Sequence, residues 1–199
     1  MAAEGRSVIL LLGHCGCWEW AQEISVRYKA PKRGGEIYKH IPNRLVEELM
    51  NALRAHWDTT LIEMRQAVRT VLRWHKEGEP FLVGFISDQR AYTAAKRWTV
   101  FMNQITDFVS GGEELAAKIG AEVLYLDIEK PKRGYYRLTF KQVHPEQTDV
   151  DAPYTRQFYK MLEETIRRRP SLWLWSHNRW RNNHECPEEI KNRLMKSKI

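Results

Sequence analysis

The feature that most constrains the fold is a run of five aliphatic residues, Val8–Leu12, that ends at Gly13. The run is far shorter than the roughly 20 residues that a transmembrane helix needs. A short, continuous apolar segment with β-branched members is typical of a strand buried on both faces of a sheet. Residues 81–86 (FLVGFI) repeat this pattern, so the sequence predicts a sheet with buried central strands.

Segments with helical periodicity lie between the predicted strands, because their apolar residues recur every three to four positions. The predicted helices cover residues 18–28, 43–53, 63–76, 113–119 and 154–169. Asn43 is expected to cap the second of them, and Gly78 and Gly120 to end the third and fourth. Further predictions are strands at 122–127, 135–141 and 172–175 and a basic loop at 30–35. This alternation predicts a single α/β domain, a central sheet flanked by helices.

Composition favours an anionic partner without deciding which. The chain has 32 Lys and Arg against 25 Asp and Glu, a net charge of +7 and an isoelectric point near 9.4. Nucleic acid, anionic lipid and an acidic carrier all fit this balance. The eight Trp residues suit a membrane–water boundary but equally suit a core. Three cysteines are too few for a disulfide framework, and Glu4 argues against a signal peptide, which together favour a cytosol-facing, reducing compartment.

A candidate catalytic turn follows the first predicted strand, at residues 13–19 (GHCGCWE). Glu19 comes five positions after His14, on the opening turn of a predicted helix. From there a carboxylate can reach back to one imidazole nitrogen, fix the tautomer and raise the basicity of the other nitrogen. Such a histidine can remove a proton from a hydroxyl or amine that attacks a carbonyl. An ordinary strand-to-helix turn with a capping His is the alternative.

Two more polar clusters also follow predicted strands, where α/β sheets bind their ligands. Asp88, in residues 87–90 (SDQR), is placed to orient a substrate group or a basic side chain, or simply to cap a turn. Residues 167–181 are rich in Arg, which suits phosphate or an acidic carrier; a solvated basic face is the alternative.

A zinc site is a further interpretation of the polar residues, and we do not expect it. The Cys-x-Cys spacing of the first turn is not the usual Cys-x-x-Cys, and the second group of ligands is far away in the sequence. The residues concerned are His14, Cys15, Cys17, His184 and Cys186.

Four blocks, in order, resemble the bacterial lipid A (lipopolysaccharide) biosynthesis acyltransferases, lauroyl/myristoyl type, a branch of the glycerolipid acyltransferase superfamily. The superfamily's H-x-x-x-x-D/E block, which this branch writes close to G-H-x-G-N-W-E, corresponds to residues 13–19. The branch's A-D-Q block resembles residues 87–90, and its small-residue turn with L-A-x-x-x-G-A resembles 101–121. Its closing P-E-x-W-L-W-x-H-R-R-W block resembles 170–180, so the matches span about residues 8–182.

The resemblance implies a glycerolipid-acyltransferase-like fold and the transfer of a fatty acyl chain to a hydroxyl of a lipid A precursor. The donor would be a thioester of acyl carrier protein or coenzyme A, with no other cofactor and no metal. Under this resemblance His14 is the general base and Glu19 orients it. Arg54, Asp88 and Arg179 would bind substrate.

The resemblance also implies acyl carrier protein, a lipid A precursor and the anionic inner-membrane surface as partners, rather than nucleic acid. The expected location is the cytoplasmic face of the bacterial inner membrane. Members of the family are longer, so residues 1–199 would be one acyltransferase domain that is N-terminally truncated and lacks the family's hydrophobic anchor; a soluble form stays open. The sequence departs from the branch pattern at Cys17, where Asn is usual, at Asn178 and at Gly111–Gly112.

Two other functions remain as alternatives. One is an acyltransferase for another lipid acceptor, such as a glycerolipid or an amino-acid lipid. The other is a catalytically inactive basic module that binds anionic membranes or nucleic acid, which salt-sensitive binding without acyl transfer would favour.

Overall fold

A computed structural model describes residues 5–24, 33–55, 59–91 and 97–196. The strands are β1 Val8–Leu12, β2 Arg33–Tyr38, β3 Thr60–Glu63, β4 Phe81–Ile86, β5 Arg97–Phe101, β6 Gln104–Phe108, β7 Glu122–Lys132 and β8 Tyr135–Gln142. The α-helices are α1 Arg44–Ala55, α2 Ala67–Glu77, α3 Gly111–Ile119, α4 Pro153–Arg168 and α5 Glu188–Lys196. Short 3₁₀ turns lie at Trp18–Gln22, Met64–Gln66, Pro170–Leu172 and Asn183–Glu185.

The main sheet has the strand order β3-β2-β4-β1-β7-β8, in which all neighbours are parallel except β7 and β8. Strands β5 and β6 form a separate antiparallel hairpin. A mixed sheet flanked by helices confirms the predicted α/β class. The central strand β1 is buried along its whole length, as its unbroken apolar run predicts.

The two faces of the sheet pack differently. On one face, Ile9 and Leu11 of β1 lie in a large core with side chains of α2, α3 and α4, among them Val71, Leu115 and Phe158. On the other face, alternate residues of β1 and β7 form a smaller cluster, which the partly buried Trp18, Ala21 and Ile24 cover. The members of that cluster are Val8, Leu10, Leu12, Leu124, Leu126 and Ile128.

The four predicted helices after the first are confirmed, with small shifts at their ends. Asn43 accepts a hydrogen bond from the backbone N–H of Val46 at 3.2 Å, as a capping residue does. Gly78 and Gly120 end α2 and α3 in the left-handed conformation, with φ of 75° and 65°. In the predicted helix 18–28, residues 18–22 form a 3₁₀ turn and residues 25–28 lie outside the described residues.

Two predictions of local structure are wrong. The predicted basic loop 30–35 is instead strand β2 from Arg33 onward, while residues 30–32 lie outside the described residues. Gly35 suits this strand because a Cβ there would lie 2.8 Å from Ile62 and 3.1 Å from Trp74. The predicted strand 172–175 makes a single bridge, between Trp173 and Cys15.

The segment around Trp173 packs as a strap over the turn that follows β1. The backbone N–H of Gly16 donates to Leu172 O at 2.7 Å, and that of Leu174 donates to His14 O at 3.0 Å. Its backbone therefore bonds to the turn rather than to a neighbouring strand of the sheet.

The β5–β6 hairpin and strand β3 were not predicted. The hairpin reverses at Met102 and Asn103, both with positive φ, so it lacks the Asn-Gly or Asp-Gly signal of such turns. In the part of the chain that is described, no helix is long and apolar enough to cross a membrane.

Candidate active site

Strand register brings His14 and Asp88 together. Strands β1 and β4 are parallel neighbours in which Leu12 pairs with Ile86, so the two residues that follow each strand by two positions lie side by side. The backbone N–H of His14 donates to Asp88 Oδ2 at 2.9 Å, and His14 Nδ1 lies 2.5 Å from Asp88 Oδ1. The closing strap completes the arrangement, because Trp173 Nε1 donates to Asp88 Oδ2 at 2.8 Å.

Asp88 is buried, with 2% of its surface exposed. Burial opposes its ionisation, but the hydrogen bonds and charge of His14 and the hydrogen bond from Trp173 outweigh it and lower the pKa of Asp88. The ionised carboxylate accepts from the protonated Nδ1 and so leaves Nε2 of His14 as the basic nitrogen. Nε2 lies 3.2 Å from Gln89 Nε2, and the ring packs edge-on to Trp18 at 5.3 Å.

The structure pairs Glu19 with Arg54 and not with His14. Its carboxylate accepts a two-pronged hydrogen bond from Arg54, at 2.9 Å from Nη2 and 3.2 Å from Nε. Among the described residues, the ring of His14 bonds to Asp88 and Gln89 instead. The sequence could not reveal that His14 pairs with Asp88, since this pairing depends on which strand lies next to β1.

His14 and the Arg54–Glu19 pair line one cleft of about 460 Å³. The side chain of Arg54 is 13% exposed and that of Glu19 35%. Glu36 of β2 lies beside them: burial raises its pKa to about 7, Arg54 opposes the rise and Glu19 adds to it. Its Oε2 is buried and has no hydrogen-bond partner among the described residues.

The cysteines of the turn are not activated. Burial raises the pKa of Cys15 to about 12 and that of Cys17 to about 11, so both thiols stay neutral at physiological pH. The described residues contain no group of three or more His, Cys, Asp or Glu side chains that could hold a metal ion. The imidazole of His14 lines the cleft and is held by Asp88.

A family model described as bacterial lipid A biosynthesis acyltransferase matches residues 1–182. The chain belongs to this family. It is therefore an acyltransferase, and the family predicted from the four sequence blocks is confirmed. Comparison with curated protein sequences gives no match.

Arg179 of this acyltransferase, which was expected to bind substrate, is buried and does not line the cleft of His14. It is 1% exposed and donates to Asp107 Oδ1 at 3.2 Å, to the backbone oxygen of Asp107 and to Tyr159 Oη at 2.8 Å. The closing segment packs on the β5–β6 hairpin, where Trp180 Nε1 also donates to Thr106 Oγ1 at 2.9 Å. Because the hairpin was not predicted, neither was this buried pairing.

The other arginines of the closing segment are dispersed as well. Arg167 pairs with Glu163 on the exposed face of α4, and Arg168 pairs with Asp127 and Glu129. These three arginines are thus divided between an exposed pair within α4, a partly exposed pair with strand β7 and the buried pair of Arg179.

Three residues of the site escaped the sequence-based assignment: Trp18, Gln89 and Trp173. All three lie inside blocks that resemble the family, which is the signal that could have found them. A further link joins the site to the Arg179 pair, because Tyr159 Oη donates to Ser87 O at 2.8 Å.

A second cavity, of about 230 Å³, lies next to the cleft on the other face of the sheet. Its lining is mostly aliphatic and aromatic, and includes Leu10, Leu82 and Phe140. Trp18 and Glu36 line both the cavity and the cleft. The acyltransferase therefore has an apolar chamber whose wall is shared with the site of His14.

Proposed function

We propose that this acyltransferase moves a fatty acyl chain from a thioester of acyl carrier protein or coenzyme A to a hydroxyl of a lipid A precursor. The observation that carries the proposal is the anchored imidazole: Asp88 holds Nδ1 of His14 at 2.5 Å, and the ring lines the cleft with Nε2 beside Gln89. The proposed partners are the thioester donor and the lipid acceptor, with the reaction at the cytoplasmic face of the inner membrane.

His14 acts as general base in the first step. The acceptor hydroxyl displaces the amide of Gln89 from Nε2, gives its proton to Nε2 and attacks the thioester carbonyl carbon, which forms a C–O bond and a tetrahedral oxyanion. The carbonyl then re-forms as the C–S bond breaks, and the imidazolium returns the proton to the leaving thiolate. Asp88 stabilises the imidazolium and keeps the ring in the productive tautomer.

Arg54 supplies a cation for a phosphate of the acceptor or the donor. Glu19 takes the Nε hydrogen and one Nη2 hydrogen of the guanidinium, which leaves three N–H donors for an anion in the cleft. In this proposal Glu19 positions Arg54 and has no direct contact with His14.

The apolar cavity is the proposed site of the acyl chain. Gly84 lines it, and a Cβ at this position would meet its nearest atoms only at 3.8 and 3.9 Å. Gly84→Val therefore adds methyl groups to the chamber without a clash at Cβ. We expect the variant to prefer shorter acyl chains, with a roughly tenfold change in the ratio of short to long products. Product masses from mixed donors measure it; Ala117→Val, at an exposed position of α3, is the control and should leave the ratio unchanged.

The experiment that tests the reaction is mass-spectrometric detection of acyl transfer to extracted bacterial lipids, with each thioester donor. His14→Ala should abolish transfer, and Asp88→Asn should lower kcat by about 10²–10⁴ because the wrong tautomer is favoured. His75→Ala, at an exposed position of α2, is the control. Unchanged product from His14→Ala would overturn the mechanism, and salt-sensitive lipid binding without any product would favour a binding module instead.

A further inference from the structure

The β7–β8 hairpin extends past the end of the central strand, beside the catalytic turn. The last pair between β1 and β7 is Leu11 with Tyr125, whereas β7 continues to Lys132. Part-way along its length the hairpin touches the turn, since a Cβ on Gly16 would lie 3.2 Å from Ile128 and 3.5 Å from the ring of Tyr136. The tip of the hairpin therefore projects from the edge of the sheet that carries His14.

The tip is strongly basic. Residues 129–137 (EKPKRGYYR) contain four basic residues and one acidic residue. Glu129, the acidic one, pairs with Arg137 and Arg168. Lys132 and Arg133 are exposed, and Lys132 Nζ lies 4.1 Å from the ring centroid of Tyr135. Two cations thus stand at the outermost point of the hairpin.

Exposed aromatic side chains accompany these cations. Tyr135 is 59% exposed and Trp20, in the 3₁₀ turn after His14, is 55% exposed. Trp20 is tied to the hairpin by an edge-on contact with Tyr136 at 5.9 Å. Exposed Trp and Tyr next to Lys and Arg match the headgroup region of an anionic bilayer, where the rings enter the interface and the cations meet lipid phosphates.

We propose that Trp20, Lys132, Arg133 and Tyr135 form a membrane-docking surface that binds the anionic phospholipid headgroups of a bilayer. This surface lies beside the turn that holds His14, so docking would place the mouth of the cleft at the lipid surface. The inference rests on the proposed function in one respect: a lipid acceptor must reach His14 from the membrane.

Vesicle binding tests the charged half of the surface. Wild-type protein should co-sediment with phosphatidylglycerol vesicles much more than with phosphatidylcholine vesicles, and added salt should weaken the binding. Lys132→Ala/Arg133→Ala should lower the partition coefficient roughly tenfold or more, since each cation contributes to attraction by an anionic surface. Lys76→Ala/Lys118→Ala removes two exposed cations from α2 and α3 and is the charge-matched control. It should bind almost as wild type does.

Fluorescence tests the aromatic half. Brominated phosphatidylglycerol should quench the tryptophan emission of the wild type, and Trp20→Phe should lose most of that quenching while its thermal stability stays unchanged. Quenching that persists in Trp20→Phe would contradict insertion at this place.

The same vesicle measurements separate a membrane-docking surface from a diffuse basic face and from a protein-docking surface. An equal loss of vesicle binding in the control variant would overturn a localised surface. Intact vesicle binding in Lys132→Ala/Arg133→Ala, together with lost binding to acyl carrier protein, would make the hairpin a protein-docking surface instead. His14→Ala should bind vesicles as wild type does, so failure of the docking surface and failure of the proposed reaction are distinguishable.

Discussion

The two arginine–carboxylate pairs Arg54–Glu19 and Arg179–Asp107 occupy opposite kinds of environment. The first lines the cleft, with 13% and 35% of the side chains exposed. The second is sealed, at 1% and 0%, and Arg179 bonds to both the side chain and the backbone of its partner. Both arginines were expected to bind substrate, and of the two only Arg54 lines the cleft.

The two pairs differ in how much folding free energy is lost when one partner is removed. In the sealed pair, loss of Arg179 leaves the carboxylate of Asp107 buried without a cation, and the hydrogen bonds from Ala91 N–H and Asn182 compensate its desolvation only in part. In the cleft, water or substrate can replace the missing partner, so little folding free energy is lost. An arginine in a basic-looking segment is therefore a candidate for ligand binding only when part of its guanidinium faces open space.

The largest expected effect comes from breaking the sealed pair. Arg179→Met leaves the carboxylate of Asp107 buried without a cation, and should lower the free energy of unfolding by about 3–5 kcal/mol. Chemical denaturation measures this loss. The matched variant Arg167→Met breaks an exposed helix pair and should cost at most about 1 kcal/mol. Equal stability of the two variants would contradict the distinction drawn between buried and exposed pairs.

Breaking the Arg54–Glu19 pair should have the opposite effect, a loss of activity without a loss of stability. In the role proposed for Arg54, Arg54→Ala removes charge-assisted hydrogen bonds of about 1.5–3 kcal/mol to an anionic substrate, so kcat/KM should fall roughly 10- to 100-fold. The melting temperature should change little. Arg44→Ala, which removes an exposed arginine of the same helix, is the control. If Arg54→Ala destabilised the fold while activity per folded molecule stayed normal, the pair would be structural.

A smaller effect is expected from Glu36, which lies beside the cleft pair. Its pKa of about 7, against an ordinary value of 4.5, means that the folded state binds more protons than the unfolded state between these values. The free energy of unfolding of the wild type should therefore fall as the pH rises through this window. Glu36→Gln lacks the titrating group, so its melting temperature relative to wild type should rise with pH, by a few degrees, about 2–4 °C for each kcal/mol.

Melting curves of both proteins across the same pH series measure this difference. The exposed Glu48→Gln is the control for the general loss of one negative charge. A constant difference between Glu36→Gln and wild type across the series would show that burial of Glu36 does not govern its ionisation.

Local patterns predicted most of the sheet and the helices around it. The continuous apolar runs of β1 and β4 and the glycines that end α2 and α3 act over a few residues, so they can be read from the chain directly. The β5–β6 hairpin lacks such a signal, because its turn uses Met102 and Asn103 at positive φ. The apolar segment 172–175 has strand-like composition, yet its indole at Trp173 serves to bond Asp88.

Residue patterns alone thus established the fold class, the place of His14 after the central strand and the family to which the chain belongs. Three-dimensional packing decided the partners of each charged group: Asp88 for His14, Glu19 for Arg54 and Asp107 for Arg179. The reason is that these pairs depend on strand register and on contacts between residues 35 to 74 positions apart in the chain. No short segment of the sequence contains both members of such a pair.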